Sequence, residues 1–275
     1  MKKILISLIF CVSAVAAGAQ SVSSLLVPME MSPESAALEG VSHSGWAQFG
    51  KWAPGTADCT ILAAGAYSTL GSKIALGLDV RSFKDSPYEV TNSSGISSGV
   101  FSPSDLAGAL SVYYFINGTL GIGLTGRYVS SVISPALKGS AFCGDLSAIW
   151  KKDAFGAIAG VYNLGSKISY GKSSYSLPAF VRAGGYYTVS GVTIRAAADY
   201  LLEGAFGALV SAEYTVLDMV TPKVGFHYGN PELGLPSYAL AGLKASFYGV
   251  GLSASYLFAS GTLVGSLQFA LSYSF

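Results

Sequence analysis

Bulky apolar residues alternate with small or polar ones along most of this chain, and the charges keep to a single parity. Ile74, Leu76, Leu78 and Val80 alternate with Lys73, Ala75, Asp79 and Arg81. Leu120, Ile122 and Leu124 alternate with Gly121, Gly123, Thr125 and Arg127, and Phe142, Leu146, Ala148 and Trp150 with Cys143, Asp145 and Ser147. The C-terminus does the same: Leu267, Phe269, Leu271, Tyr273 and Phe275 oppose Ser266, Gln268, Ala270, Ser272 and Ser274. A period of two is the signature of strands with two unlike faces. Charge confined to the face opposite the bulky apolar side chains fits a wall with lipid on one side and a polar lumen on the other.

Composition narrows the choice. The chain is 51% hydrophobic and 11% charged, against about 25% charged in an ordinary soluble domain. No stretch after the first twenty residues reaches the roughly 18 consecutive apolar residues of a membrane helix. High apolar content without a spanning helix leaves a closed barrel as the structure that satisfies every backbone polar group in lipid.

Lys2 and Lys3, the apolar run Ile4 to Ala16, and Ala17-Gly18-Ala19 read as a secretory signal peptide over residues 1–19. Cys11 lies inside it without a lipoprotein pattern. Removing Lys2 and Lys3 from 16 basic residues leaves 14 against 15 acidic, so no basic surface marks a nucleic-acid partner. Cys59 and Cys143 are read as two free, small apolar side chains.

Segments with the two-residue period start near residues 59, 71, 105, 118, 140, 154, 177, 192, 204, 219, 238, 249 and 263, with a weaker one at 43–50. That predicts an all-β, antiparallel transmembrane barrel of about fourteen strands over 43–275, with twelve as the alternative. Single-chain bacterial barrels have even strand numbers. Short connections, such as Ser190-Gly191 and Tyr248-Gly249, alternate with longer ones near 84–104, 130–139, 163–176 and 229–237. Short turns belong to the periplasmic side, which puts both ends of the chain there. Residues 20–42 precede the barrel and contain a short helix pattern. Ser32 suits its N-cap, Pro33 its first turn and Gly40 its stop. Ser32, Pro33 and Glu34 open a segment that would plug the lumen from the periplasmic side.

Several stretches resemble the PorV/PorQ group of Bacteroidetes outer-membrane barrels, itself similar to FadL-type transporters. They are Phe101 to Ala107, Leu120 to Tyr128, Asn163 to Ile168 leading to Arg182-Ala183-Gly184, Ala212-Glu213-Tyr214 before Lys223 to Phe226, and the terminal Ser272 to Phe275. FadL-type chains carry Asn-Pro-Ala where this one reads Ser32-Pro33-Glu34. The resemblance implies a monomeric fourteen-stranded barrel in outer-membrane lipid. It implies one of two roles: a partner of secretion-machinery or cargo proteins in type IX export, or a passive transporter of a small hydrophobic ligand. A structural barrel with a plugged lumen is the third reading.

The charges expected in the lumen are Lys73, Asp79, Arg81, Arg127, Asp145, Arg182, Arg195, Asp199, Glu213, Lys223 and Lys244. They can line a conduit that prefers anions or pair with one another, and the mixed signs favour pairing. Enzymatic chemistry is not expected. The two His, His43 and His227, are far apart, no Gly-x-Ser-x-Gly element stands at a strand-to-helix turn, and no cluster suits a metal or cofactor. Tyr67, Tyr114, Tyr128, Trp150, Tyr162, Tyr187, Tyr200, Tyr214, Tyr228, Tyr256 and Tyr273 fall near strand ends, as aromatic girdles do.

Overall fold

A computed structural model describes residues 31–52, 59–91, 96–229, 237–259 and 265–275. The expected signal peptide and the segment 20–30 lie outside these. The strands are β1 (His43–Trp52), β2 (Cys59–Leu70), β3 (Ile74–Lys84), β4 (Tyr88–Thr91), β5 (Ser97–Phe101), β6 (Ser104–Phe115), β7 (Leu120–Ser134), β8 (Leu137–Lys152) and β9 (Phe155–Gly165). They continue with β10 (Ile168–Tyr170), β11 (Ser173–Tyr175), β12 (Phe180–Val189), β13 (Val192–Leu201), β14 (Ala205–Tyr214), β15 (Val220–Gly229), β16 (Tyr238–Phe247), β17 (Val250–Ala259) and β18 (Ser266–Ser274). Among the described residues one helix, α1 (Pro33–Glu39), precedes them.

Fourteen strands close into an antiparallel barrel in which β1 pairs with both β18 and β2. Each wall strand begins within three residues of its expected start, including the weak first one. The remaining four strands form two hairpins, β4–β5 and β10–β11, in the long connections. Closure removes the sheet edge, so no strand presents an unpaired row of amides to lipid. The outward face carries Leu76, Leu78, Leu110, Leu124, Phe142, Val210, Phe226 and Leu271, all well exposed, whereas their neighbours Asp79, Ser111, Thr125, Asp145, Ser211 and Ser272 are buried.

The short turns follow backbone chemistry. Ser190-Gly191 and Tyr248-Gly249 have positive φ at both positions, the two-residue hairpin geometry that matches strand twist. The long side differs from expectation at 130–139. That stretch is not a loop: β7 runs to Ser134, β8 starts at Leu137, and Pro135 and Ala136 make the turn. Beyond Val129 the residues Ser130, Ser131, Ser134, Lys138 and Gly139 interrupt the apolar ones, and Val132 and Ile133 are adjacent, so the apolar alternation fades and the strand becomes illegible.

Helix α1 is built as its residues require. Ser32 accepts from the Ser35 amide at 3.1 Å and the Ser35 hydroxyl oxygen accepts from the Ser32 amide at 3.0 Å, a reciprocal capping box. Gly40 ends it at φ +68°. Seven residues cannot hold a helix alone in water, and this one buries Pro33, Ala36, Ala37 and Leu38. They pack inside the barrel with Met31, Val41, Trp46, Tyr67, Ala75, Tyr113, Ile149, Ile158 and Tyr186. Those wall residues lie near the short-turn ends of their strands, so the helix fills the inner mouth.

Depth should set the cost of an outward charge. Leu110, mid-strand in β6 and 68% exposed, should lose about 2–4 kcal/mol as Leu110→Lys, whereas Leu70→Lys at the end of β2 should lose about 0–1. Urea unfolding in phospholipid vesicles reads both; equal costs would contradict this placement in the bilayer.

Candidate functional site

The interior is the place where this chain concentrates unusual chemistry. Four arginines of the wall meet carboxylates there. Arg81 Nε lies 2.6 Å from Asp79 Oδ2 on the same strand, two residues apart and so on one face. Arg127 Nη2 lies 3.0 Å from Asp145 Oδ2, and its Nη1 donates to Asn163 Oδ1 at 2.7 Å. Arg182 grips Asp199 with two hydrogen bonds of 2.6 and 2.9 Å. The same guanidinium sits 4.9 Å from the Phe180 ring centre and 5.5 Å from that of Tyr162. Arg195 reaches two acids, Glu39 at 3.3 Å and Glu213 at 3.6 Å. A buried guanidinium without a carboxylate would cost several kcal/mol, so these partners are a condition of folding.

The other expected charges are placed differently. Lys73 stands in the exposed turn between β2 and β3, not in the lumen. It has the inward parity, but the strand begins one residue later. Lys223 lies directly across from Glu213, and Lys244 across from Thr221. Lys244, with Thr215, Thr221, Ser246, Ser272 and Ser274, lines a cavity of about 370 Å³ at the inner mouth.

Glu34 and Glu39, both on α1, were outside the expected charge set. Glu34 Oε1 accepts from the Tyr162 hydroxyl at 3.0 Å, and Glu39 meets Arg195. Lys151 Nζ donates to the Glu39 carbonyl at 2.6 Å, placing a cation on the last turn of the helix. Gly40 leaves the space: a side chain there would strike Lys151. At the other end Pro33 packs on β3 where Gly77 presents no Cβ; any side chain at Gly77 would overlap the proline ring. Gln48 Nε2 donates to the Met31 carbonyl at 3.0 Å. The helix is therefore held to the wall by apolar packing, an ion pair and side-chain hydrogen bonds.

A second closure lies at the outer end. The β10–β11 hairpin folds against the inner face of β8, burying Ile168, Tyr170 and Leu177 with Ala107, Val129, Ala141 and Cys143. Two residues assigned to the girdle, Tyr67 and Tyr162, are inside instead. Tyr67 is 2% exposed and belongs to the plug core. Tyr162 stacks on Phe180 with ring centres 4.9 Å apart. Parity could not separate the faces of β2, because Ile61, Ala63 and Tyr67 are as apolar as Leu62, Ala64 and Ala66. Tyr114, Tyr128, Trp150, Tyr187, Tyr200, Tyr214, Tyr228 and Tyr273 do face outward. His227 is buried and stacks on Tyr238 at 4.8 Å. Cys59 and Cys143 are unbridged.

No protein-family model matches this chain, and no curated protein matches its sequence. Solved structures match it in shape. The Pseudomonas putida toluene transporter TodX aligns over 96% of both chains with a TM-score of 0.65 at 11% identity. The Ralstonia pickettii toluene transporter TbuX aligns over 95% of both with 0.63 at 10%. A Pseudomonas aeruginosa FadL homologue aligns over 98% of this chain and 99% of its own with 0.59 at 10%. At such identities the likeness concerns the fold, which is that of the FadL-type barrels.

Asp199→Asn should strand the Arg182 charge inside the wall and lower the urea midpoint in detergent micelles, a loss of about 3–5 kcal/mol. Replacing the pair together, Arg182→Met with Asp199→Leu, should restore much of it. A double variant as unstable as the single one would show that the pair is not the source of the cost.

Proposed function

We propose that this chain is a monomeric outer-membrane barrel that lets small hydrophobic molecules cross passively, without enzymatic chemistry or a cofactor. The carrying observation is the apolar packing at the two mouths of its lumen. A water-filled porin lines its lumen with polar side chains. Here Leu38, Trp46, Tyr67, Tyr113 and Ile149 pack within the inner mouth, and Val129, Ile168, Tyr170 and Leu177 within the outer one. An apolar solute can be desolvated against such surfaces once helix or hairpin shifts, whereas an ion meets closed apolar layers and internally paired charges. Two of the barrels that share the fold are named as toluene transporters, which supports the same class of solute.

Expression in a Gram-negative strain with low hydrocarbon permeability tests the reading. Toluene uptake should rise and saturate, and the purified protein should give no steady porin-like conductance in planar bilayers. Uptake equal to that of the empty vector, with the barrel inserted, would overturn the proposal. Co-purification of secretion-machinery or cargo proteins alongside unchanged uptake would replace it with the export role that the PorV/PorQ resemblance implies.

A further inference from the structure

Strand β9 breaks the alternation that the regular wall strands keep. Tyr162 and Asn163 are consecutive and both buried, at 6% and 2% exposure. A regular strand would send one of them outward. The β8–β9 register shifts between Gly144 and Leu146, and Asn163 holds φ +57°. This β-bulge turns both side chains inward. Tyr162 folds over Gly160, where a side chain would collide with its hydroxyl, and donates to Glu34 of the plug helix at 3.0 Å. Asn163 Nδ2 donates to the Pro178 carbonyl at 3.0 Å, where the outer hairpin rejoins the wall. The rest of Asn163 is also engaged: Oδ1 accepts from Arg127, and the amide donates to Asp145 Oδ1 at 2.8 Å. Phe180, two residues past Pro178, stacks on Tyr162.

We propose that this bulge couples the two closures of the lumen, so that outer hairpin and inner helix hold each other shut through Asn163 and Tyr162. The bulge lies at a break in the β8–β9 ladder, and its local conformation rests on side-chain bonds to both closures. Displacing the hairpin removes the Pro178 acceptor, while Phe180 stays paired in the wall on β12. The bulge then relaxes, and Tyr162 loses the position from which it reaches Glu34. The coupling is reciprocal, as any linkage between two equilibria must be. The two ends therefore open together and do not alternate. The inference concerns how the lumen closes, not what crosses it, and stands apart from the proposed solute.

Amide hydrogen exchange of the full chain folded in micelles tests it. Asn163→Gly keeps the left-handed backbone accessible and removes both side-chain bonds. Exchange should speed up about fivefold, the effect of one lost net hydrogen bond, in residues 33–40 as well as 168–177. Strands β16 to β18 should not change. Faster exchange in the hairpin alone, or in neither segment, overturns the coupling. Should Asn163→Gly fail to fold, Tyr162→Phe removes only a hydroxyl and decides the matter. It must loosen the hairpin as well as the helix, and a change limited to the helix overturns the proposal.

Discussion

A backbone amide or carbonyl left facing hydrocarbon without a partner costs several kcal/mol, and every larger feature of this molecule follows from meeting that demand. Fourteen paired strands close on themselves, so the wall has no edge. Closure then divides the side chains of each strand between lipid and lumen. Charges on the lipid side would be prohibitive near the midplane, and they gather within. Once inside, they cannot remain single. Asp79, Asp145, Asp199 and Glu213 neutralise arginines of the same or neighbouring strands. The ion pairs are a consequence of the wall.

The interior also carries apolar surface that needs covering. Small residues make that possible. Ala75 and Gly77 on β3 allow the helix backbone close to the wall, and Pro33 occupies the space that a side chain at Gly77 would take. The helix brings Glu39 to Arg195, which then faces two carboxylates. The plug is thus part of the charge balance as well as of the packing. At the outer end Ala107 and Ala141 allow the same close approach for Ile168 and Tyr170.

The wall was legible in the sequence because its signal is repetitive and enforced by lipid. A misplaced charge or a slipped register moves a whole row of side chains to the wrong face. The helix was legible too, since Ser32, Pro33 and Gly40 are specific boundary residues. What lay beyond reach was contact between segments distant in the chain. Glu39 pairs with a residue 156 positions away, and nothing local to either announces it. Asn163 sits at a bulge, where two consecutive inward residues defeat an argument based on alternation. The outer ends of β7 and β8 were hidden for the opposite reason: outside the apolar zone neither face must be apolar, so Ser130, Ser131 and Lys138 carry no period. The candidate site was therefore half visible, in its wall charges but not in the plug residues that complete them.

The account stands on helix α1 being seated inside the barrel against β3. The direct measurement is a single cysteine on the helix, Leu38→Cys, in a background in which Cys59 and Cys143 are replaced by alanine. Leu38 is 1% exposed within the plug core, so a soluble thiol reagent should leave this cysteine unlabelled in the folded barrel and label it fully once urea unfolds the chain. Rapid labelling in a barrel that remains folded would contradict the seated plug and the closed lumen that depends on it.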